Sequence, residues 1–435
     1  MTTSTTRWGR RSLLFGAGAA LGGAGVSLLG GPLRSWLAER RTRWRPGPFG
    51  PLRPDPEGVL DLPEGFTYRV IGRSGMALDD GFLAPEMPDA MGCFALPDGT
   101  WALMRNHELP LDAPTRGPAP GRPMPSQAFD ARGAGGVSRI VLDPANLEPR
   151  STNLVLAGTV MNCAGGVSPW GWLTCEETVE PGHGFVFLCD PAAGSLEAPR
   201  RLPGLGRFRH EAAAVDPRTN VIYLSEDRED ACLYRLVPDD PRDPFAGELQ
   251  ALRVRGVPRF DTGMRLGPEP REVDWVPVRE AAPDDDVVRA HAQADGAARI
   301  ARGEGLTARV EDGRVSILVS ATIGGRGALG QILELCPEGD GGSLRVLAAS
   351  DGRHDLEMPD NLTVGPGDRV YLCEDGGGHD FVRGLDPRTG AFFDFARNAR
   401  STGEISGVCF APDARTMFLN LQVDGLTLAV RGPFA

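Results

Sequence analysis

Residues 162–177 read NCAGGVSPWGWLTCEE, two extended runs separated by turn residues. Gly-Gly and Pro-Trp-Gly are turn-forming combinations, so the stretch predicts a β-hairpin. Cys163 opens its first strand, and the adjacent acids Glu176 and Glu177 end its second strand. The hairpin would bring Cys163 opposite Glu176, which suits a metal site. A glycine-rich turn with a buried cysteine and two solvated acids is the alternative interpretation.

The same hairpin pattern recurs along most of the chain. Each copy has an apolar alternating strand, a turn marked by Pro, Asp or Gly, and a second strand that in most copies ends on acids. The other copies are residues 91–108, 209–227, 360–375 and 405–422. Further strands that end on Pro accompany them at residues 137–144, 185–191, 233–238, 332–337 and 381–387. Repeated antiparallel meanders of this kind predict an all-β fold, a six-bladed β-propeller.

Two other segments complete the predicted fold. Residues 66–71 (FTYRVI) can supply the outer strand of the last blade and so close the ring. Residues 253–305 depart from the meander pattern, and residues 287–302 have a helical pattern, so a small, partly helical insertion is predicted over one face. The propeller domain is predicted to span residues 46–435. A two-sheet sandwich is the alternative, but a recurring unit of three or four strands favours the propeller.

Composition limits the possible partners. The 435 residues include 46 basic and 58 acidic side chains, a net charge of −12, which argues against nucleic-acid binding. Neither a P-loop nor a Gly-x-Gly-x-x-Gly between a strand and a helix is present, so nucleotide binding is unsupported. The chain contains no lysine, and a cationic clamp for an anionic substrate must therefore be built from arginine.

The N-terminal residues 1–45 have the pattern of a twin-arginine export signal. Arg10 and Arg11 precede an apolar stretch that extends to about Leu33. No Ala-x-Ala cleavage site follows, and the stretch is just long enough to span a bilayer, so it could also be retained as a membrane anchor. The predicted partner is the twin-arginine translocase, and the predicted location is the periplasm or another extracytoplasmic compartment. This route carries folded proteins, often with cofactors, which supports a metal site.

The acidic residues at the predicted strand ends form a repeated pattern. Strand ends in a propeller gather around the central channel, so these acids should converge there. Unpaired carboxylates in such a cluster repel each other, and bound cations are therefore predicted. Oxygen ligands favour calcium or magnesium, whereas the Cys163 thiol favours a transition metal such as iron. The candidate ligands are Glu108, Cys163, Glu176, Glu177, Glu211, Glu226, Asp227, Asp360, Glu374 and Asp375.

Two histidines and the remaining cysteines have more than one interpretation. His107 and His210 each adjoin a glutamate at a predicted strand end. Each could be a metal or substrate ligand, a hydrogen-bond partner of the glutamate, or a structural histidine. Cys163 is the predicted thiol ligand because it starts a glycine-rich hairpin. Most of the other cysteines lie within or beside apolar strand patterns, which indicates small buried hydrophobic residues rather than disulfides.

These motifs resemble the alkaline phosphatases of the PhoX type. The resemblance rests on Cys-Ala-Gly-Gly and Trp-Leu-Thr-Cys-Glu-Glu within residues 163–177, Asn-His-Glu at 106–108, His-Glu at 210–211, Pro-Asp-Asn at 359–361 and Cys-Glu-Asp at 373–375. It implies an exported phosphomonoesterase on a six-bladed propeller that uses calcium and more than one ferric iron. By motif position it assigns Cys163, Glu176, Glu211 and Glu374 to iron, and Glu108, Glu177, Asp227, Asp360 and Asp375 to calcium.

The implied reaction is the hydrolysis of small phosphate esters, and a monomer is expected. Clustered cations would bind the phosphate oxygens, and an arginine would complete the clamp. The candidates are Arg105, Arg209 and Arg353. Two other classes remain open. A calcium-dependent lactonase-type hydrolase would need fewer ligands and no thiol, and a noncatalytic exported propeller that binds a partner would need neither.

Overall fold

The computed structural model describes residues 45–264 and 266–434, which form an all-β, propeller-like fold. The export signal predicted over residues 1–45 lies outside the described residues, apart from Arg45. Within the described part of the chain, no helix is long and apolar enough to cross a membrane. An α-helix, α1 (Val288–Ala294), forms inside the helical pattern of residues 287–302.

Consecutive strands pair as antiparallel meanders, as the recurring hairpins predict. The N-terminal strands are β1 (Leu52–Arg53), β2 (Leu60–Pro63) and β3 (Thr67–Arg73). One meander contains β4 (Pro88–Ala95), β5 (Trp101–His107), β6 (Gly135–Leu142) and β7 (Pro149–Thr159). The next contains β8 (Asn162–Ser168), β9 (Gly171–Glu176), β10 (Val186–Cys189) and β11 (Arg200–Arg201).

The remaining strands continue the pattern. They are β12 (His210–Val215), β13 (Ile222–Glu226), β14 (Leu233–Asp240), β15 (Asp243–Val254) and β16 (Arg271–Pro277). After α1 come β17 (Gly303–Glu311), β18 (Arg314–Ala321), β19 (Gln331–Glu338) and β20 (Gly341–Ala349). The last two meanders contain β21 (Pro359–Val364), β22 (Val370–Glu374), β23 (Phe381–Asp386) and β24 (Ala391–Asn398), then β25 (Ile405–Phe410), β26 (Thr416–Leu421) and β27 (Leu426–Arg431).

Aspartate side chains fix several of the tight turns between paired strands. Asp98 Oδ1 accepts the Thr100 backbone N–H at 3.0 Å in the β4–β5 turn. Asp216 accepts the backbone N–H two residues later in the β12–β13 turn, and Asp413 does the same in the β25–β26 turn, each at 2.8 Å. An aspartate that bonds its own backbone two residues ahead stabilises a turn, so these residues set where each hairpin reverses.

The N-terminal strands close and extend the sheets. Strand β3 pairs antiparallel with β27, with Thr67 opposite Arg431. The prediction that residues 66–71 supply the outer strand of the last meander is therefore confirmed. Strands β1 and β2 instead join the edge of the sheet formed by β21–β24, so that sheet has six strands.

The described residues form five sheets, which differs from the six separate blades predicted. Strand β16 pairs with both β15 and β20, and it joins the meanders β12–β15 and β17–β20 into one nine-stranded sheet. Residues 253–305 therefore contain a strand of this sheet as well as a helix. Hydrophobic alternation along the chain does not reveal this connection, because β16 pairs with β20, and strands β17–β19 lie between them in sequence.

The first strand of each meander lies at the centre of the fold. Strands β4, β8, β12, β17, β21 and β25 each contact the next, and β25 contacts β4. They line a cavity of about 270 Å³. Gly165 and Gly166 lie within β8, not in the hairpin turn, which Pro169 and Trp170 form. A Cβ atom at Gly166 would lie 2.0 Å from the carbonyl oxygen of Ala213 on β12, so glycine permits two inner strands to approach.

Apolar side chains fill the space between the sheets. Trp172, Phe187 and Tyr223 are among the buried residues of the largest core cluster. The eight cysteines are unpaired; seven are buried and Cys336 is half-buried. Most of them therefore act as small core residues. Cys163 differs from these, because its side chain has polar neighbours.

Candidate metal centre

The first strand of each meander, here called the inner strand, starts in the same backbone register. The first residue of each inner strand lies opposite the last residue of the second strand of that meander, and a bulge follows in the inner strand. The next residue of the second strand donates its backbone N–H to the residue before the inner strand, as Glu177 does to the Met161 carbonyl at 2.8 Å. The residues that follow each opposed pair thus recur in equivalent places. They are Asp89 and Glu108, Cys163 and Glu177, Glu211 and Asp227, Glu304 and Thr322, Asp360 and Asp375, and Ser406 and Gln422.

Seven of these side chains form three overlapping groups of potential metal ligands. Within each group, one ligand atom of every member lies within 4.8 Å of the others. The groups are Asp89–Glu108–Cys163, Cys163–Glu177–Glu211 and Glu211–Glu304–Asp360. Because Cys163 and Glu211 each belong to two groups, the seven residues make one continuous set, here called the acidic cluster. All are buried except Glu108, which is half-buried.

Cys163 lies among carboxylates in this cluster. Its Sγ atom is 3.1 Å from Glu211 Oε1 and 3.5 Å from Asp89 Oδ2. Burial, followed by the nearby charges of Asp89 and Glu211, raises the pKa of the Cys163 thiol well above its usual value. A bound cation would have the opposite effect, because metal coordination favours the thiolate.

Three carboxylates of the acidic cluster, those of Glu211, Asp360 and Asp89, also have raised pKa values. Burial, with the nearby charge of Glu304, raises the pKa of Glu211. Burial and the charge of Asp375 raise the pKa of Asp360 to about 7. Burial likewise raises the pKa of Asp89. Without a counter-charge, ionised carboxylates at this density repel each other, and cations would relieve that repulsion.

The donor atoms in the acidic cluster fit bound cations. The buried atoms Asp89 Oδ1 and Glu211 Oε2 have no hydrogen-bond partner among the described residues. A buried carboxylate oxygen without a partner is costly unless water or a cation meets it. The groups that contain Cys163 combine thiol and carboxylate donors, which suits a transition metal, whereas Glu211, Glu304 and Asp360 offer only oxygen, which suits calcium or magnesium.

Glu176 does not belong to the acidic cluster, contrary to the prediction from its hairpin. The register places it opposite Asn162, not Cys163. Its Oε1 accepts the Val160 backbone N–H at 2.9 Å and lies 2.7 Å from His183 Nδ1, while Oε2 accepts two further backbone N–H groups. Both oxygens are therefore engaged within the β8–β11 sheet. The following residue, Glu177, takes the place beside the thiol.

Glu226 and Glu374 repeat this arrangement and also lie outside the three ligand groups. Glu226 Oε2 accepts the Tyr234 hydroxyl at 2.9 Å, and Arg289 NH1 lies 3.6 Å from its other oxygen. Glu374 Oε1 accepts Arg383 Nε at 2.8 Å. The first acid of each predicted pair thus binds the surrounding sheet or helix, and these three predicted ligands lie outside the three ligand groups.

Two arginines contact acids at the edge of the acidic cluster. Arg209, one of the predicted candidates, forms an ion pair with Glu177. Arg302, which the sequence analysis missed, donates Nε to Asp227 Oδ1 at 2.8 Å and also pairs with Glu304. Both arginines immediately precede an inner strand, Arg209 before β12 and Arg302 before β17. Asp227 is therefore held by an arginine rather than placed within a ligand group.

The other two predicted arginines have different surroundings. Arg105 is buried between sheets, where Nε donates to Ser138 Oγ at 3.1 Å and NH1 donates to Thr427 Oγ1 at 2.7 Å. Burial lowers the pKa of Arg105 to about 10. Arg353 is largely exposed and pairs with Glu357 at 2.8 Å. These contacts place Arg105 between the sheets and Arg353 on the surface, whereas Arg209 contacts a member of the acidic cluster.

The two histidines lie outside the three ligand groups. His107 Nε2 lies 2.7 Å from Ser138 Oγ, and its Nδ1 lies 3.1 Å from the Glu86 carbonyl oxygen. His210 Nε2 lies 3.1 Å from the Gly206 carbonyl oxygen. Burial lowers the pKa of both, that of His210 to about 3, so both are neutral at pH 7. Each occupies an opposed-pair position and leaves the next residue, a glutamate, for the cluster.

Three residues of the site were not predicted from the sequence, although short repeats mark their positions. Residues 87–89 and 358–360 are both Met-Pro-Asp, so Asp89 is the counterpart of Asp360. Residues 302–304 (RGE) likewise repeat the pattern of residues 209–211 (RHE), which identifies Arg302 and Glu304 as counterparts of Arg209 and Glu211. The predicted hairpins began two residues too late in the first case, and the predicted insertion hid the second.

A comparison of the sequence with protein families decides the class. The profile of the family described as alkaline phosphatase PhoX matches residues 47–150 and 145–425, most of the chain. The chain belongs to the PhoX family. As a PhoX member it is a phosphate hydrolase, and the lactonase and the noncatalytic binder are set aside. No curated protein matches the chain in sequence.

One solved structure of a PhoX protein has the same fold. PhoX of Pseudomonas fluorescens, in complex with vanadate as a transition-state analogue, is 19% identical, with a TM-score of 0.69 over 86% of this chain and 96% of that chain. At this identity the likeness shows a shared fold. A gluconolactonase of Xanthomonas campestris is 14% identical, with a TM-score of 0.44 over 89% of this chain and all of that chain. That score is too low to support an argument about function.

Proposed function

We propose that this PhoX family member is a metal-dependent phosphomonoesterase whose active centre is the acidic cluster. The observation that carries the proposal is the continuity of the three ligand groups through Cys163 and Glu211. The vanadate complex of Pseudomonas fluorescens PhoX supports phosphoryl chemistry on this fold. The expected substrates are small phosphate monoesters.

The donor chemistry supports two kinds of cation. Iron is proposed beside Cys163, because a thiolate among carboxylates suits a transition metal, and calcium is proposed at the oxygen-only group Glu211–Glu304–Asp360. When bound, the cations supply positive charge that offsets the charge developing on the phosphate oxygens. Cys163 and Glu211 each belong to two ligand groups, so each could contribute to two neighbouring cation sites.

Arg209 and Arg302 are proposed to bind the phosphate oxygens of the substrate. Each of them immediately precedes an inner strand, and these two strands, β12 and β17, are neighbours. The two arginines therefore occupy equivalent positions beside the acidic cluster. The guanidinium fork can donate two parallel hydrogen bonds to a phosphate, which fixes its orientation. Their ion pairs with Glu177 and Glu304 hold both side chains in place before substrate binds.

Hydrolysis of p-nitrophenyl phosphate by the full-length protein tests this function. Iron and calcium are measured in the same sample by elemental analysis, and a lactone substrate serves as the comparison. Phosphatase activity with both metals present is expected. Metal-loaded protein that leaves phosphate monoesters intact would contradict the proposal, as would active protein that contains neither metal.

The cellular setting and the blade count are also proposals. Arg10 and Arg11 support export by the twin-arginine translocase to an extracytoplasmic compartment. The apolar stretch serves as a cleaved signal or as a membrane anchor, and the enzyme is a monomer. Lysine at both positions should retain the protein in the cytoplasm, and normal export of that variant would contradict the proposal.

If the nine-stranded sheet is counted as two blades joined by β16, the propeller has six blades.

A further inference from the structure

One position in the repeated register carries an amide where most others carry an acid. The residue after the second strand is a carboxylate in four meanders: Glu108, Glu177, Asp227 and Asp375. It is Thr322 after β18 and Gln422 after β26. Gln422 is 2% exposed, and its backbone N–H donates to the Glu404 carbonyl at 3.1 Å, as the shared register requires. Gln422 is therefore in the place of a cluster ligand, but it carries no charge.

The Gln422 side chain contacts two members of the acidic cluster. Its Nε2 donates to Asp89 Oδ2 at 2.9 Å and to Glu108 Oε2 at 3.1 Å. Two residues earlier on the same face of β26, Asn420 Nδ2 donates to the Asp89 backbone carbonyl at 2.6 Å. Ser406 Oγ on β25 donates to the adjacent Pro88 carbonyl at 3.1 Å. The last meander thus fixes both the backbone and the side chain of Asp89.

The two carboxylate oxygens of Asp89 differ in their hydrogen bonds. Oδ2 is taken by Gln422 and by the Cys163 thiol, whereas Oδ1 is buried with no hydrogen-bond partner among the described residues. A single amide nitrogen with two hydrogens can hold two carboxylates close together without adding a third negative charge. A carboxylate at this position would instead increase the repulsion.

We infer that Gln422 is a positioning residue that orients Asp89 and Glu108 toward one cation shared with Cys163. The inference rests on the proposed function, because it assumes that this group binds a cation. Hydrogen-bond partners of metal ligands commonly change metal affinity 10–100-fold when they are removed. Loss of the Gln422 amide should therefore weaken cation binding at Asp89–Glu108–Cys163 by about that factor.

Cobalt binding to the full-length, chelator-treated protein measures this effect without relying on activity. Co²⁺ bound by a thiolate absorbs in the near ultraviolet, and Cys163→Ser establishes that the band arises from this group. Gln422→Met removes both donors at similar volume, and Gln422→Asn keeps an amide that is too short to reach both carboxylates. The matched control is Gln331→Met, since buried Gln331 donates Nε2 to the Thr262 carbonyl at 2.8 Å.

The expected result is a cobalt dissociation constant about 10–100-fold higher for both Gln422 variants, with Gln331→Met equal to the wild type. If Gln422→Met fails to fold, Gln422→Asn alone gives the comparison. Wild-type affinity in a folded Gln422 variant would overturn the positioning role and leave the proposed function intact. A wild-type protein that binds no Co²⁺ through Cys163 would overturn the metal assignment in the proposed function, and this inference with it.

Discussion

Glu176 and Glu177 are neighbours in sequence, but Glu176 accepts hydrogen bonds from the backbone whereas Glu177 belongs to the acidic cluster. Glu176 accepts backbone N–H groups from Val160, Gly184 and Phe185 at 2.9, 2.9 and 3.2 Å, and lies 2.7 Å from His183 Nδ1. Replacing Glu176 with Gln turns one oxygen into an NH₂ group, which cannot accept these donors. At least one charge-assisted hydrogen bond is lost and a donor is left facing donors, a cost of about 3 kcal/mol.

Glu176→Gln should therefore lower Tm by about 5 °C and leave the metal content unchanged. Glu177→Gln should do the reverse, because it removes a charged ligand from the group with Cys163 and Glu211. Each variant is measured by thermal unfolding and by elemental analysis of the same preparation. The reasoning is refuted if Glu176→Gln loses as much metal as Glu177→Gln while its Tm stays at the wild-type value.

Three further perturbations separate site residues from structural ones. Cys163→Ser should lower bound metal and phosphatase activity together, whereas Cys189→Ser should keep both and cost about 1 kcal/mol of unfolding free energy through packing. Arg302→Gln should raise KM for p-nitrophenyl phosphate about tenfold or more, and exposed Arg353→Gln should leave KM within about twofold of the wild type. Equal KM values for the two variants would contradict the proposed contact between Arg302 and the phosphate oxygens. Burial and a neighbouring carboxylate raise the pKa of Asp360 to about 7, so the folded metal-free protein retains a proton that the unfolded chain releases near pH 4. Its unfolding free energy in urea should fall from about pH 4 to pH 7, and added calcium should remove this trend.

Local patterns were enough to predict the meanders and the closing strand. Alternating apolar residues and Asp-marked turns are short-range signals, and β3 matches the last meander because residues 66–71 have an obvious strand pattern. The bridge made by β16 depends on its pairing with β20, which follows it in sequence only after α1 and strands β17–β19. No local pattern encodes such a pairing, so a count of separate sheets could not be predicted.

Several predicted ligands lie one residue away from the position that faces the acidic cluster. Adjacent strand residues point to opposite faces, so the sequence indicated an acid pair but not which acid faces the channel. The bulge after Asn162 places Glu176 opposite Asn162 and leaves Glu177 beside Cys163. The surroundings of Arg105 could not be predicted for a similar reason, because its side chain enters the space between sheets, where Thr427 accepts its hydrogen bond. Register and bulges are properties of the paired strands, not of either strand alone.

The central claim is that the acidic cluster binds the cations on which phosphate hydrolysis depends. The most direct measurement is a chelator titration of full-length protein, with bound iron, bound calcium and p-nitrophenyl phosphate hydrolysis determined on each sample. The account predicts that activity is lost in proportion to bound metal and returns when the metals are restored. Full activity after both metals have been removed from folded protein would contradict it.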